Sequence, residues 1–386
     1  MSLRRPATIV APLLSLVLAT ALAASTVATP AIDFGSPQAE GAFGEDVVFS
    51  TTFTSDEAPQ RVELLSRVPG QRSDRVTIAR VEPTDAGWRA SVRNTGHIVP
   101  NTSWEYRFRV VTDEGDATGP LGTPRLPDTR AEWAEHDGEG VTVWTYQGGQ
   151  AFAARALETA EEAFATTAEL LGTEVTEPVD FVIYTDTRSF REAMGPATRE
   201  NIEGQAHLAI RTLFALVEPR GRDSERMEEV ITHELAHLVF HDAVVNPYQY
   251  PPRWLNEGVA VYVSEGYPES YRSQVRGAAG GDTIIPLEGL GGQFPTRATR
   301  QSLAYAESID AVDHLVETHG EAALVELIHA FGDGLGLDGA FIAATGEDFA
   351  AFDAAWLASL GAKTPEPYGP TPVVPGPSPE AWATGD

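Results

Sequence analysis

Between residues 30 and about 130, apolar and polar positions alternate in short runs broken by Gly, Pro and Asp. This period-two pattern belongs to strands that bury one face. Val47 to Phe53, Val62 to Leu65 and Val76 to Val81 each read as a strand. The clearest run is Ser103 to Val111, where Trp104, Tyr106, Phe108 and Val110 fall on one side and Glu105, Arg107 and Arg109 on the other. One face then meets a core and the other meets water. The region is expected to fold as an all-β sandwich.

From Trp133 onward the pattern changes. A strand is predicted at Val141 to Tyr146, a helix at Ala151 to Leu171, a strand at Val179 to Tyr184, and further apolar alternation over Ala206 to Val217 supplies another. Helical periodicity then dominates, at Ser224 to His241, Arg253 to Glu265, Ser302 to His319, Ala322 to Phe331 and Asp348 to Leu360. Strands first and helices afterwards predict an α+β domain over 131–361, with a small sheet over a helical lower half. The sandwich domain is placed at 30–130. Residues 362–386 are Pro-rich and poor in apolar residues, the composition of a disordered or polyproline tail. Within the sandwich region, Pro100-Asn101-Thr102-Ser103-Trp104-Glu105-Tyr106-Arg107-Phe108 resembles the late-strand region of immunoglobulin-like sandwiches of the fibronectin type III kind.

The N-terminal residues run from Arg4 and Arg5 through an apolar stretch, Ala7 to Leu22, to the small-residue sequence Ala21-Leu22-Ala23. This reads as a signal peptide over 1–24, with cleavage after Ala23 or Ala24. The other reading, an uncleaved membrane anchor, is disfavoured by Pro6, Pro12 and the shortness of the run. No later segment approaches the roughly 20 apolar residues of a spanning helix. The mature chain is therefore expected to have no stable membrane span and to be secreted or held at the cell surface. The 56 acidic against 27 basic residues, a formal charge of -29, argue against nucleic acid as a partner. Cysteine is absent, so any metal must be held by His, Asp and Glu.

His233-Glu234-Leu235-Ala236-His237 is an HExxH sequence inside an apolar-periodic segment. On a helix, positions four apart lie one above the other, so both imidazoles can reach one zinc ion, while Glu234 lies beside that face as a general base. The motif also arises by chance, and a third ligand is required. Arg253-Trp254-Leu255-Asn256-Glu257-Gly258 places a carboxylate at the start of another helical pattern, 19 residues lying between His237 and Glu257. A second helix beside the first can deliver that oxygen, giving a His2Glu site with one position open for water.

HELAH followed by WLNEG resembles the gluzincin zinc metallopeptidases. Pro251 to Gly258, then Ile285-Pro286-Leu287-Glu288, then Leu303-Ala304-Tyr305-Ala306-Glu307-Ser308 resemble, in that order, the bacterial peptidase MA-like family. The resemblance runs from about Trp133 to Leu360 and implies one zinc ion on His233, His237 and Glu257, with Glu234 as base. Two departures are visible. The aminopeptidase branch grips the substrate's amino terminus with a GAMEN-type strand, and no such motif stands between Val179 and Arg226. Thermolysin-like enzymes carry an acidic residue four positions after the ligand Glu, where this chain has Val261, leaving the residues that orient the histidines unassigned.

Tyr305 opens a helical run whose apolar positions could pack it near the metal, where its phenol could donate to an oxyanion; the other reading is a core tyrosine. Position 243, where a metzincin would place its third His, is Ala243, so His241 reads as structural or as a partner of a ligand. His314, His319 and His329 read as surface or capping residues. His207 stays open, on a possible sheet edge where gluzincin substrates add as a strand. Three functional readings follow: a peptidase acting on peptide or protein substrates; a catalytically inactive, zinc-stabilised surface protein; and an aminopeptidase, which would require amine-anchoring acids that the sequence does not show. In each, the sandwich is available to bind a surface partner.

Overall fold

The computed structural model describes residues 32–41, 43–68, 71–175, 177–195, 203–220, 226–246 and 248–363. The expected signal peptide and residues 364–386 of the expected tail lie outside them.

In the N-terminal unit β1 (Ile32–Phe34), β2 (Gln38–Glu40), β3 (Val47–Ser55), β6 (Arg80–Thr84) and β7 (Gly87–Asn94) make one antiparallel sheet. The second sheet contains β4 (Arg61–Arg67), β5 (Arg75–Ile78), β9 (Glu105–Thr112) and β10 (Gly115–Thr118), while β8 (Thr102–Ser103) and β11 (Arg125–Leu126) pair separately. Val47, Phe49, Phe53 and Ala90 from the first sheet pack against Val62, Leu64, Tyr106, Phe108 and Val110 from the second, which is the core of a sandwich. β9 alternates as its sequence predicts: Tyr106, Phe108 and Val110 are buried, and on the other face Arg107 pairs with Asp74 and Arg109 with Glu63. The run Val76 to Val81, expected as one strand, is two. The Ala79 N–H bonds Val62 O at 2.8 Å, and there the chain passes from the second sheet to the first. Apolar residues continue through the crossover, so periodicity alone does not reveal it.

The second unit is built on a sheet in the spatial order β12 (Ala134–Asp137), β13 (Val141–Thr145), β14 (Val179–Tyr184), β16 (Thr212–Leu216), β15 (Gly204–His207). β13, β14 and β16 are parallel, and β12 and β15 are antiparallel edges. The apolar alternation over Ala206 to Val217 thus resolves into two strands, turned at Arg211, which adopts φ 47°. Val179, Phe181 and Ile183 face the helices and Val182 and Tyr184 face away, so β14 is apolar along almost its whole length because both faces are covered.

The helices are α1 (Gly149–Leu171), α2 (Thr187–Met194), α3 (Met227–Ala243), α4 (Arg253–Ser264), α5 (Glu269–Gly280), α6 (Ala298–His319), α7 (Glu321–Gly332), α8 (Leu337–Thr345) and α9 (Phe349–Ser359). Sequence periodicity finds six of these. It misses α2, α5 and α8, which bury only two or three apolar side chains each. α1 and α3 pack under the sheet through Phe152, Ala156, Ile231, Leu235 and Leu238. The opposite side of α3, with Val239 and Phe240, joins the larger core that holds α4 to α9 together. This is the sheet over a helical half that strand and helix order predicts.

The sandwich is fastened to the sheet side away from α3. Arg125 pairs with Asp180 at 2.7 Å, Arg130 with Glu192 at 2.7 Å, and His97 Nε2 lies 2.9 Å from Ala193 O. Among the described residues, no helix is long and apolar enough to cross a membrane.

Candidate metal centre

α3 is apolar on two sides, one toward the sheet and one toward the lower helices. The remaining stripe carries His233, Glu234 and His237 into a cleft of about 860 Å³. The two imidazoles, one turn apart, stand with ring centroids 4.8 Å apart and planes at 88°.

α4 starts where Pro251-Pro252 hold the chain extended, since Pro252 has ψ 149°. Trp254, fully buried, stacks on Phe352 at 6.2 Å with an interplanar angle of 12° and fixes the first turn. Further along, α4 crosses α6 at Gly258, where a Cβ would lie 2.5 Å from Ser308 O. The glycine of WLNEG is therefore required by helix packing, and this crossing sets how α4 presents Glu257. Trp254 and Gly258 bracket a carboxylate that is 7% exposed at its side chain.

The Glu257 carboxylate is divided. Oε1 accepts from Arg253 Nε at 2.9 Å and Nη2 at 2.8 Å. Oε2 is buried without a hydrogen-bond partner and lies 3.7 Å from His233 Nε2 and 3.5 Å from His237 Nε2. The three ligand atoms fall within 4.8 Å of one another, a group able to hold a metal ion. An unpaired buried oxygen facing two ring nitrogens is costly alone and well placed for a divalent cation. The electrostatics agree. Burial would raise the Glu257 pKa, yet the attraction of His237 and His233 holds it well below the ordinary carboxylate range. Burial opposes a charge on His237, and Glu257 outweighs it, pushing that ring up. The arrangement favours positive charge between the carboxylate and the rings.

Glu234 points from α3 toward the edge strand β15 and is itself buried, at 7% exposure. Burial pushes its carboxyl above the usual value, while His237 and His233 pull it down. A Cβ at Gly204 would lie 2.2 Å from Glu234 Oε1, so the glycine lets the backbone of β15 lie directly over the carboxylate in its present position.

Two residues unassigned by sequence contact the candidate ligands. His237 Nδ1 lies 2.6 Å from Asn256 Oδ1, and Asn256 Nδ2 donates to the Tyr250 hydroxyl at 3.2 Å. Asn256 thus gives the His237 ring a polar partner that Val261, four positions after Glu257, cannot supply, and its signal was its position directly before Glu257. Arg253 had an equally plain signal, the i, i+4 spacing to Glu257 on one helix face.

Tyr305 lines the same cleft, with its ring 6.4 Å from that of His233 and 5.3 Å from that of Phe294. Burial, reinforced by Glu257, keeps its phenol protonated well above the ordinary range. His207 does not face the cleft: its ring lies edge-on to Phe214 at 5.3 Å, and burial lowers its pKa to about 4. Its neighbours Gly204, Gln205, Ala206 and Leu208 line the cleft instead. His241 lies 6.2 Å from the Tyr250 ring, outside the ligand group. His329 Nε2 meets Leu171 O at 2.7 Å at the end of α1, a capping role. His319 pairs with Glu347 at 3.3 Å, and the His314 ring lies 5.8 Å from that of Phe352. One end of the cleft carries Glu203, Glu229 and Glu265, with Arg226 3.0 Å from Glu203 and 3.3 Å from Glu229.

Comparison with curated proteins finds no match. Among solved structures the chain is similar to an aminopeptidase N family protein from Idiomarina loihiensis, at 10% identity and a TM-score of 0.41, covering 78% of this chain and 70% of that one. It is also similar to an M1 zinc metallopeptidase from Deinococcus radiodurans, at 14% identity and a TM-score of 0.35, covering 89% and 95%. The sequence profile of the Peptidase MA superfamily matches residues 159–362, more than half of the chain and the whole of the ligand-bearing segment. By that match, the chain belongs to the Peptidase MA superfamily.

Proposed function

We propose that the protein is a zinc metallopeptidase that hydrolyses peptide bonds, with one Zn2+ held by His233, His237 and Glu257, Glu234 as general base and Tyr305 as donor to the developing oxyanion. The observation that carries this reading is the unpaired Glu257 Oε2 between the two histidine Nε2 atoms, with Glu234 buried alongside. When bound, zinc supplies Lewis acidity, which polarises a carbonyl and brings the pKa of water to about 7.

Glu234 accepts the proton of the attacking water and returns it to the leaving amine. Buried beside His233 and His237, the carboxylate is placed to serve both halves of the transfer. The hydroxyl of Tyr305, kept protonated by burial, donates where negative charge grows on the former carbonyl oxygen. The substrate lies along β15, whose residues Gly204 to Ala206 border the cleft and which, among the described residues, pairs with no strand other than β16. A binding protein without turnover would have no use for a buried carboxylate beside an open ligand position. Export through the N-terminal signal belongs to the same reading, and the sandwich is free to bind a surface partner.

The test is Glu234→Gln assayed on an unbiased peptide library beside zinc content. The expected result is stoichiometric zinc and a loss of cleavage; full cleavage by a zinc-loaded Glu234→Gln would sink the mechanism. Comparing blocked with free-amino peptides then assigns endo- or exopeptidase action.

A further inference from the structure

Arg253 has no assigned step in the chemistry just described, yet its guanidinium reaches the Glu257 carboxylate, the cleft wall and the neighbourhood of the Tyr305 phenol. Its Nε and Nη2 both bind Glu257 Oε1, at 2.9 and 2.8 Å. Its Nη1 reaches Gln293 Oε1 at 3.4 Å, its guanidinium carbon stands 4.8 Å from the centre of the Phe294 ring, and its backbone N–H bonds Gly291 O at 2.9 Å. The guanidinium is therefore held between the Glu257 carboxylate on its own helix and the cleft wall at Gln293 and Phe294.

A carboxylate can offer a metal one oxygen or two. Both guanidinium contacts fall on Oε1, which leaves Oε2 alone to face His233 and His237. Turning Oε1 toward the rings would break two charge-assisted bonds, and the guanidinium, held by Gln293 and Phe294, is not free to follow.

We infer that Arg253 is a positioning residue that fixes Glu257 as a one-oxygen ligand, strengthening the centre's hold on Zn2+ and keeping its fourth position open. The inference rests on the zinc reading above. Its consequence is that metal affinity and coordination number depend on a side chain that never touches the ion. An arginine that merely stabilised the fold would change neither in a folded variant.

The experiment measures Zn2+ affinity by competition with a chromophoric chelator, and the visible spectrum of the Co2+-loaded protein, for the full chain and for Arg253→Met and Arg253→Lys. Circular dichroism establishes that each variant is folded, and the lysine variant, which keeps a charge, guards against misfolding of the other. Arg253→Met is expected to bind Zn2+ about 10–100-fold more weakly. Its Co2+ bands should lose the intensity of a four-coordinate ion as the second oxygen becomes available. Arg253→Lys, a point charge without the planar fork, is expected to fall in between. Wild-type affinity and spectra in both folded variants would overturn this inference and leave the proposed function standing. A wild-type protein that takes up no zinc would overturn both.

Discussion

His237 and Asn256 are joined across two helices: Nδ1 of the ring lies 2.6 Å from the amide oxygen. With the ring donating from Nδ1, its Nε2 is left free to ligate a cation placed between it and Glu257 Oε2, 3.5 Å away. The residue that precedes the carboxylate in sequence thereby sets the tautomer of a histidine 19 positions earlier. Asn256→Ala is expected to weaken Zn2+ binding about 10-fold or more, read by chelator competition, with little change in secondary structure.

Tyr305→Phe removes one hydroxyl from the cleft and leaves the ring contact with Phe294 in place. If the phenol supports the oxyanion, kcat should fall about 100-fold or more with KM and zinc content nearly unchanged. Wild-type kcat in the phenylalanine variant would return Tyr305 to the core-tyrosine reading.

Gly204→Ala introduces a Cβ 2.2 Å from Glu234 Oε1. Either the edge strand or the carboxylate must move, and a displacement of about 1 Å at the base can cost roughly 100-fold in rate. The expected variant keeps its zinc, because His233, His237 and Glu257 are not crowded by this change, and loses most of its turnover. The check pairs elemental metal analysis with steady-state kinetics.

Glu307 predicts a pH dependence of stability. Fully buried on α6, it accepts the Ile285 N–H at 3.0 and 3.2 Å, and burial pushes its carboxyl from 4.5 up to about 8 against that hydrogen bond. Below pH 4.5 the folded and unfolded chains are both protonated here and nothing is lost. As pH rises toward 8, the unfolded chain releases the proton and the folded chain retains it. Stability contributed by this group therefore declines across that window, by about 1.4 kcal/mol per pH unit at most, and levels off above it. Thermal melts between pH 4 and 9 should show Glu307→Gln gaining on the wild type as pH rises; parallel curves would refute the assignment.

Metal removal supplies a further check. A ligand bound only by the folded chain stabilises it by about 4 kcal/mol at a thousand times its dissociation constant. A chelator is expected to lower the melting temperature of the wild type and to leave a folded Glu257→Ala variant almost unmoved.

The alternation of Tyr106, Phe108 and Val110 and the helical stripes at 227–243 and 298–319 made the strand-then-helix architecture legible, because burial of one face imposes its period on the residues. The ligand types were legible for a related reason, since HExxH spacing on a helix stacks two imidazoles whatever surrounds them. What periodicity could not show was where apolar runs change partners. The turn between sheets at Ala79 and the fold of 204–216 into two strands are set by which neighbour accepts each N–H.

The sequence by itself determined which side chains could bind a metal and the elements that carry them. Only the tertiary structure decided that Glu257 would meet the two histidines with one oxygen, that Gly204 would lie over Glu234, and that Asn256 would reach His237. Those relationships depend on the close crossing of α4 and α6 at Gly258 and on the approach of β15 to α3. Such distances arise from packing between segments far apart in the chain, which no local pattern encodes.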